Sequence, residues 1–348
     1  MKKVLSLFLL LFLIQPILEI SGAKFFLEVS SVSLYAKKPA KITTENLNDN
    51  QYYNQGVLAA ENNDFETALK ALDTAILINP KNNYALYARS TVHYQMSNFD
   101  SALVDLNNLL KLDKKNIQGL YLRSNIYTNL EQYKKAIDDY ELLKKLEPKN
   151  NRHYTNLGYC YQITKNPEKA IQNYLIAEKM GAEDIEIKIN LANLYYEKKN
   201  YDISLEYIRK VLAVDKGNTH LYSLYIYNNI QQNKCDIALK VFNLYKDDLQ
   251  NPSKILTDIG ICLFNQNSDS TDSASIYCFT EALNLDSNTV LNRYYLGAAY
   301  LKLKNTKAAQ EQFENFLLSS ENNGKFAKER VEARKQIDYL IEINKNIK

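Results

Sequence analysis

The residues that could do covalent or metal chemistry in this sequence are three histidines, four cysteines and a scatter of carboxylates, and their spacing argues against such chemistry. His93, His153 and His220 lie far apart, and none stands in an H-E-x-x-H arrangement that would offer two imidazoles to one metal. No cysteine pair has the separation of a zinc site, and no Gly-x-Ser-x-Gly turn exposes a nucleophile. A phosphate cradle needs glycines close enough for successive N–H groups to face the anion, yet the nearest two, Gly158 and Gly181, are 23 residues apart. Asp138-Asp139 and Asp247-Asp248 read as solvent-facing helix positions. These patterns predict a protein that is not an enzyme and holds neither cofactor nor metal.

Tyrosine is abundant instead: there are 27 in 348 residues, beside no Trp. Tyr joins an aromatic body to a hydroxyl that can stay wet, so the placement of these rings matters most. Nine Gly and six Pro are few for a fold with many tight turns, and favour an all-helical chain. With 46% hydrophobic and 24% charged residues the chain can bury a continuous core. The net charge is only +3 and both signs are interleaved, as in Lys144-Lys145-Leu146-Glu147, so solvated helix faces are expected rather than a nucleic-acid footprint.

At the N-terminus, Lys2-Lys3 precedes an apolar run from Val4 to Ile14 and the small residues of Ser21-Gly22-Ala23. That order predicts a secretory signal peptide (1–23) cut after Ala23, with a cut near Ala36 as the alternative. Gln15, Pro16 and Glu19 break the run well short of the ~20 apolar residues of a spanning helix, so no stable membrane span is expected after cleavage; an uncleaved N-terminal anchor is the other reading. Residues 24–48 read as a linker. An exported chain permits disulfides, but Cys160, Cys235, Cys262 and Cys278 are widely spaced and read as small buried residues, with Cys262 and Cys278 the one couple worth testing.

A period of 34 residues runs through the rest: Ala68, Ala102, Ala136, Ala170, Ser204 and Ala238. Leu72, Leu106, Tyr140, Tyr174, Ile208 and Phe242 stand one helical turn later, as core knobs. Gly56, Ser90, Ser124, Gly158 and Ala192 stand twelve residues earlier, small so that two helices can approach closely. Pro80 and Pro148 close the first and third units, since Pro lacks an N–H and clashes with the preceding turn. Gly260 and Gly297 are 37 apart, and the three extra residues are expected in a longer loop through the polar stretch Asn265–Ser270. The sixth unit departs most, with Ile226 in the small slot. The frame resembles the tetratricopeptide repeat, best in the fourth unit with Tyr154, Leu157, Gly158, Tyr161, Ala170, Tyr174 and Ala177.

That resemblance implies an all-α, right-handed superhelical solenoid of antiparallel helix pairs. Its eight units would be 49–82, 83–116, 117–150, 151–184, 185–218, 219–252, 253–289 and 290–321, followed by a C-terminal capping helix over 322–348. In the family the second, fifth, ninth and twelfth positions of each first helix line a concave groove. Here they supply Tyr53, Tyr84, Tyr87, Thr91, Tyr94, Tyr121, Asn125, Tyr159, Asn193 and Tyr196 as partner-binding residues, with His220, Tyr227 and Tyr294 further on. Tyr52, Tyr127, Tyr154, Tyr161, Tyr195 and Tyr300 fall in core slots and are assigned to packing. The family's clamp for a C-terminal carboxylate is incomplete, because Tyr121 stands where Lys belongs and Glu186 and Asn190 replace Lys and Arg. The expected function is an exported interaction scaffold of the periplasm or cell envelope, holding a peptide, helix or loop of another protein in a nearly uncharged Tyr-rich groove. Glycan binding and a structural spacer in the envelope are the alternatives.

Overall fold

In the computed structural model, which describes residues 48–346 apart from Glu183 and Asn322, helices follow one another in pairs and no strand occurs among the described residues. The expected signal peptide and nearly all of the linker lie outside the described residues. The pairs are α1 (Asp49–Glu61) with α2 (Phe65–Ile78), α3 (Asn83–Gln95) with α4 (Phe99–Leu112), α5 (Ile117–Asn129) with α6 (Tyr133–Leu146), and α7 (Asn151–Ile163) with α8 (Pro167–Lys179). They continue with α9 (Ile185–Glu197) and α10 (Tyr201–Leu212), α11 (Thr219–Gln231) and α12 (Cys235–Tyr245), α13 (Pro252–Phe264) and α14 (Asp269–Leu285), and α15 (Leu291–Lys302) and α16 (Thr306–Ser320). A short 3-10 turn, Gly324–Phe326, leads into α17 (Ala327–Asn346).

Among the described residues the chain forms two compact bodies, one ending at Ile126 and the other beginning at Tyr127, dividing inside α5. In the second body the partners of each pair from α7 to α16 pack on each other, and each second helix packs on the first helix of the next pair. α1 to α4 repeat the scheme in the first body.

Steric room explains the pairing. A Cβ built on Gly158 would lie 2.7 Å from the Tyr174 ring, one on Gly297 2.8 Å from Phe313, and one on Gly260 2.6 Å from Phe279. In these pairs the first helix thus gives up a side chain where the large, fully buried residue of its partner helix lies across it. The turn joining the two helices is equally regular. Asn63, Ser97, Glu131, Lys165, Lys199, Asn233 and Asn267 all have positive φ, each 34 residues after the last. In the fourth pair the next residue, Asn166, donates its N–H to the Tyr161 carbonyl at 2.8 Å and caps α8 through Lys169 N–H, so one left-handed residue ends a helix and the next begins another.

The seventh pair differs from the expected longer loop. Asn267 keeps the 34-residue register from Asn233, and the 37-residue step falls between Asn267 and Lys304. α14 absorbs it, with 17 residues against 14 in α6. Ser268 and Thr271 form a capping box, and Asp269 and Asp272 suit the positive end of the helix dipole, so polar residues that suggested a loop start a helix instead.

Ile226 of the sixth pair is wholly buried among Tyr222, Ala238 and Phe242, in a cluster shared with α13. A disulfide joins Cys235, the first residue of α12, to Cys262 of α13 across a Cα–Cα distance of 5.8 Å. The reading of the four cysteines as small buried residues holds for Cys160 and Cys278, which are free thiols, and is corrected for Cys235 and Cys262; the couple singled out for testing, Cys262 with Cys278, does not form. The cause is helical geometry. Cys278 lies against Gly260, and Cys262, two positions on from that glycine, faces the preceding pair at the Ile230 carbonyl. Closing a 27-residue separation stabilises by about 3.5 kcal/mol in the loop-entropy description.

In the first body Arg89 of α3 grips the buried Asp105 of α4 at two points, 2.9 and 2.6 Å, and reaches Asp73 of α2 at 2.6 Å, tying the first two pairs together. At the far end of the second body, α17 lays Ala333, Ile337 and Leu340 on Phe313 and Phe316 of α16 and closes the apolar side of the final pair.

Filling the space at Gly158 must move the Tyr174 ring or the helix. Gly158→Val is expected to lower unfolding free energy by about 3 kcal/mol in denaturant titration, and a neutral result would contradict the close approach. Lys165 holds φ at 57° with a β-carbon that opposes it. Lys165→Gly is expected to raise stability by about 1 kcal/mol, and a loss would show that the turn is not strained in this way.

Candidate functional site

In the first body α1 and α3 lie side by side, and the face they share carries tyrosines. The Tyr53 and Tyr84 rings stand 6.1 Å apart, and Tyr84 keeps 70% of its surface exposed. Tyr87 is partly buried, and loss of water raises its phenol above the ordinary value. Tyr94 leans on Phe99, the first residue of α4, with centroids 5.7 Å apart, and Tyr121 on α5 is partly exposed. Two predicted contact residues need correction. Thr91 is 4% exposed and its hydroxyl donates to the Tyr87 carbonyl at 3.0 Å, and Asn125 is 2% exposed, so neither offers a partner much surface.

The second body repeats the scheme with more depth. Tyr159 on α7 meets Tyr133, the first residue of α6, edge to face at 6.2 Å, and Tyr196 on α9 leans on Tyr201, the first residue of α10, at 5.7 Å. An aromatic residue opening a second helix thus supports a tyrosine of its own pair's first helix at Phe99 and Tyr201, and of the next pair's first helix at Tyr133. Burial drives the Tyr133 phenol up to about 12 and raises that of Tyr196 as well. Asn193, one turn from Tyr196, is partly exposed, with its amide oxygen buried and lacking a hydrogen-bond partner. His220, at the start of α11, is stripped of water enough to favour its neutral form. Tyr294 turns away from this face: its ring packs on Phe313 and Phe316, 5.9 and 5.5 Å off, and the neighbouring Tyr295 stacks on Phe279 at 5.3 Å.

The sixth position of the first helix is the position missed. It points at the first helix of the preceding pair, where it meets that helix's ninth or twelfth residue. Asn190 there takes Gln162 at 3.5 Å, and both hold the Tyr174 hydroxyl, which donates to Gln162 Oε1 at 3.1 Å and accepts from Asn190 Nδ2 at 3.2 Å. Asp258 is the equivalent residue of the seventh pair and accepts from the Tyr227 hydroxyl at 3.3 Å. Burial pushes its carboxyl up to about 6. The face expected to be nearly uncharged therefore holds a recessed carboxylate in its second body. A carboxylate at the sixth position of this repeat is the signal in the sequence.

A family model described as tetratricopeptide repeat matches residues 185–218. Residues 185–218 are thus a tetratricopeptide repeat. A second model, for subunit 3 of the anaphase-promoting complex, or cyclosome, matches residues 61–141. Among solved structures, a tetratricopeptide repeat protein from Parabacteroides merdae is 19% identical over 72% of this chain and 99% of its own, with a TM-score of 0.47. MamA from Desulfovibrio magneticus is 20% identical over 49% of this chain and 96% of its own, with a TM-score of 0.46. The pilF protein of Pseudomonas aeruginosa is 19% identical over 57% of this chain and 90% of its own, with a TM-score of 0.45. No curated protein matches the sequence.

The repeats stack as an all-α solenoid within each body. Among the described residues no group of His, Cys, Asp or Glu could hold a metal ion, and no helix is long and apolar enough to cross a membrane.

Proposed function

We propose that the protein is a non-enzymatic interaction scaffold that takes a segment of a partner protein along the face built by its first helices. The observation that carries this is the tyrosines that the first helices of each body leave open: the half-buried Tyr53, Tyr87, Tyr94 and Tyr121 beside the exposed Tyr84 in the first body, and the half-buried Tyr159, Tyr196 and Tyr227 in the second. Rings anchored on one side and open on the other give large contact area with little rotamer entropy left to lose. The supporting aromatics Phe99, Tyr133 and Tyr201 hold three of them in place before a partner arrives, which lowers the ordering cost of binding.

We further propose that the protein acts outside the cytoplasm, in the periplasm or cell envelope. The basic, apolar and small-residue order of its first 23 residues supports this, as does the Cys235–Cys262 disulfide, since such bonds persist in oxidising compartments.

The test is affinity capture from the native envelope with wild-type protein and with Tyr87, Tyr94 and Tyr121 changed together to Ala. The triple variant is expected to keep its helical circular dichroism and lose the captured partner by about tenfold or more, the size of a hot-spot cluster. Undiminished recovery would remove these tyrosines from the binding face.

A further inference from the structure

One feature of the tyrosine face is out of keeping with its neutral composition: Asp258, a carboxylate with no ion pair, set where four first helices run side by side. α9, α11, α13 and α15 pack in succession and carry Tyr196, Tyr227, Asp258 and Tyr295 respectively. All four side chains keep part of their surface in contact with solvent. Yet the surroundings are close enough to strip water from each: loss of water is the largest influence on all three phenols and on the carboxyl. The side-by-side packing of the helices and the 3.3 Å hydrogen bond from Tyr227 to Asp258 set the carboxylate among rings that are part buried and part open, a recess in this face.

The charge of Asp258 is felt by every one of these rings. It adds to the upward shift of Tyr196, Tyr227 and Tyr295, the last of which reaches about 12. Tyr227 donates a hydrogen bond to Oδ2, and Oδ1 accepts none among the described residues. Lys254, one turn earlier on α13, is near enough to favour the charged form but makes no ion pair with it. A carboxyl near 6 is ionised at neutral pH, so the recess holds a part-buried negative charge that no ion pair among the described residues neutralises. Such a charge is costly unless a cation completes it.

We propose that the recess formed by Tyr196, Tyr227, Asp258 and Tyr295 is the seat of a lysine side chain from the partner segment bound on this face. The assignment rests on the groove function above and adds the chemistry of the ligand. Aromatic faces around a carboxylate suit a cation, because the ring quadrupole and the carboxylate attract it together. The choice of ammonium over guanidinium follows from the Tyr227 hydrogen bond. Arginine favours two parallel contacts to both carboxylate oxygens, and here one oxygen is already taken; an ammonium needs only the other. Its further donors require acceptors, and the orphaned Asn193 amide oxygen lies one turn from Tyr196 on α9.

Panning a random-peptide display library on the purified protein tests this. Peptides enriched on wild type are expected to carry Lys at one fixed position and to lose affinity with Tyr196→Ala or Tyr227→Ala. Asp258→Asn, which preserves shape, and replacement of the peptide Lys by norleucine should each weaken binding about tenfold or more, and the two together no further. Enriched peptides that need the tyrosines but carry Arg or no basic residue, or bind Asp258→Asn unchanged, overturn the lysine seat and leave the groove standing. No enrichment, or binding indifferent to both tyrosine changes, overturns the groove and the seat with it. Unchanged thermal melting of Asp258→Asn separates loss of binding from loss of fold.

Discussion

The close approach of the two helices in each pair is the constraint on which the rest depends. A glycine or another small residue on the first helix admits a large buried side chain of the second, as Gly158 admits Tyr174 and Gly297 admits Phe313. Dispersion and burial act strongly over that short separation, and one added carbon would clash. Because each pair is short, its outer faces remain apolar until the next pair covers them, and α17 performs that service for the last. The turn between the helices, with its left-handed residue, repeats because the geometry it serves repeats.

The same constraint builds the binding face. With the small positions of the first helix turned toward its partner, the fifth, ninth and twelfth positions turn away, and the sixth faces the preceding first helix. Polar groups at the sixth position then join neighbouring repeats, through Gln162 and Asn190 in one place and Tyr227 and Asp258 in another. The sixth pair lacks a small residue at the close-approach position, having Ile226 there, and it is the pair stapled to its neighbour by Cys235 and Cys262. Covalent closure thus falls where the repeat pattern is weakest.

The helix pairs were legible in the sequence because the packing constraint recurs every 34 residues and leaves Ala68, Ala102, Ala136 and Ala170 as its trace. Features set by direction rather than spacing were less so. Asn265–Ser270 is polar, and polarity does not distinguish a loop from the capping residues of a longer helix such as α14. Cys262 and Cys278 share a pair, but the two-residue offset from Gly260 aims Cys262 at α12. Thr91 and Asn125 occupy groove positions by count, yet both side chains are buried. Asp258 escaped notice because its position contributes to the face only through contact with the preceding repeat, which a residue count along one helix does not reveal.

The central claim is that the face of the first helices, rather than that of the second helices, receives the partner. Photo-crosslinking tests it most directly, with a photoreactive phenylalanine analogue placed singly at Tyr84 or Tyr196 on first helices and at Leu77 or Leu244, which are exposed on second helices. Irradiation in the native envelope is predicted to give one defined adduct from Tyr84 and Tyr196 and none from Leu77 or Leu244. Adducts confined to Leu77 and Leu244 would place the partner on the opposite face and contradict the account.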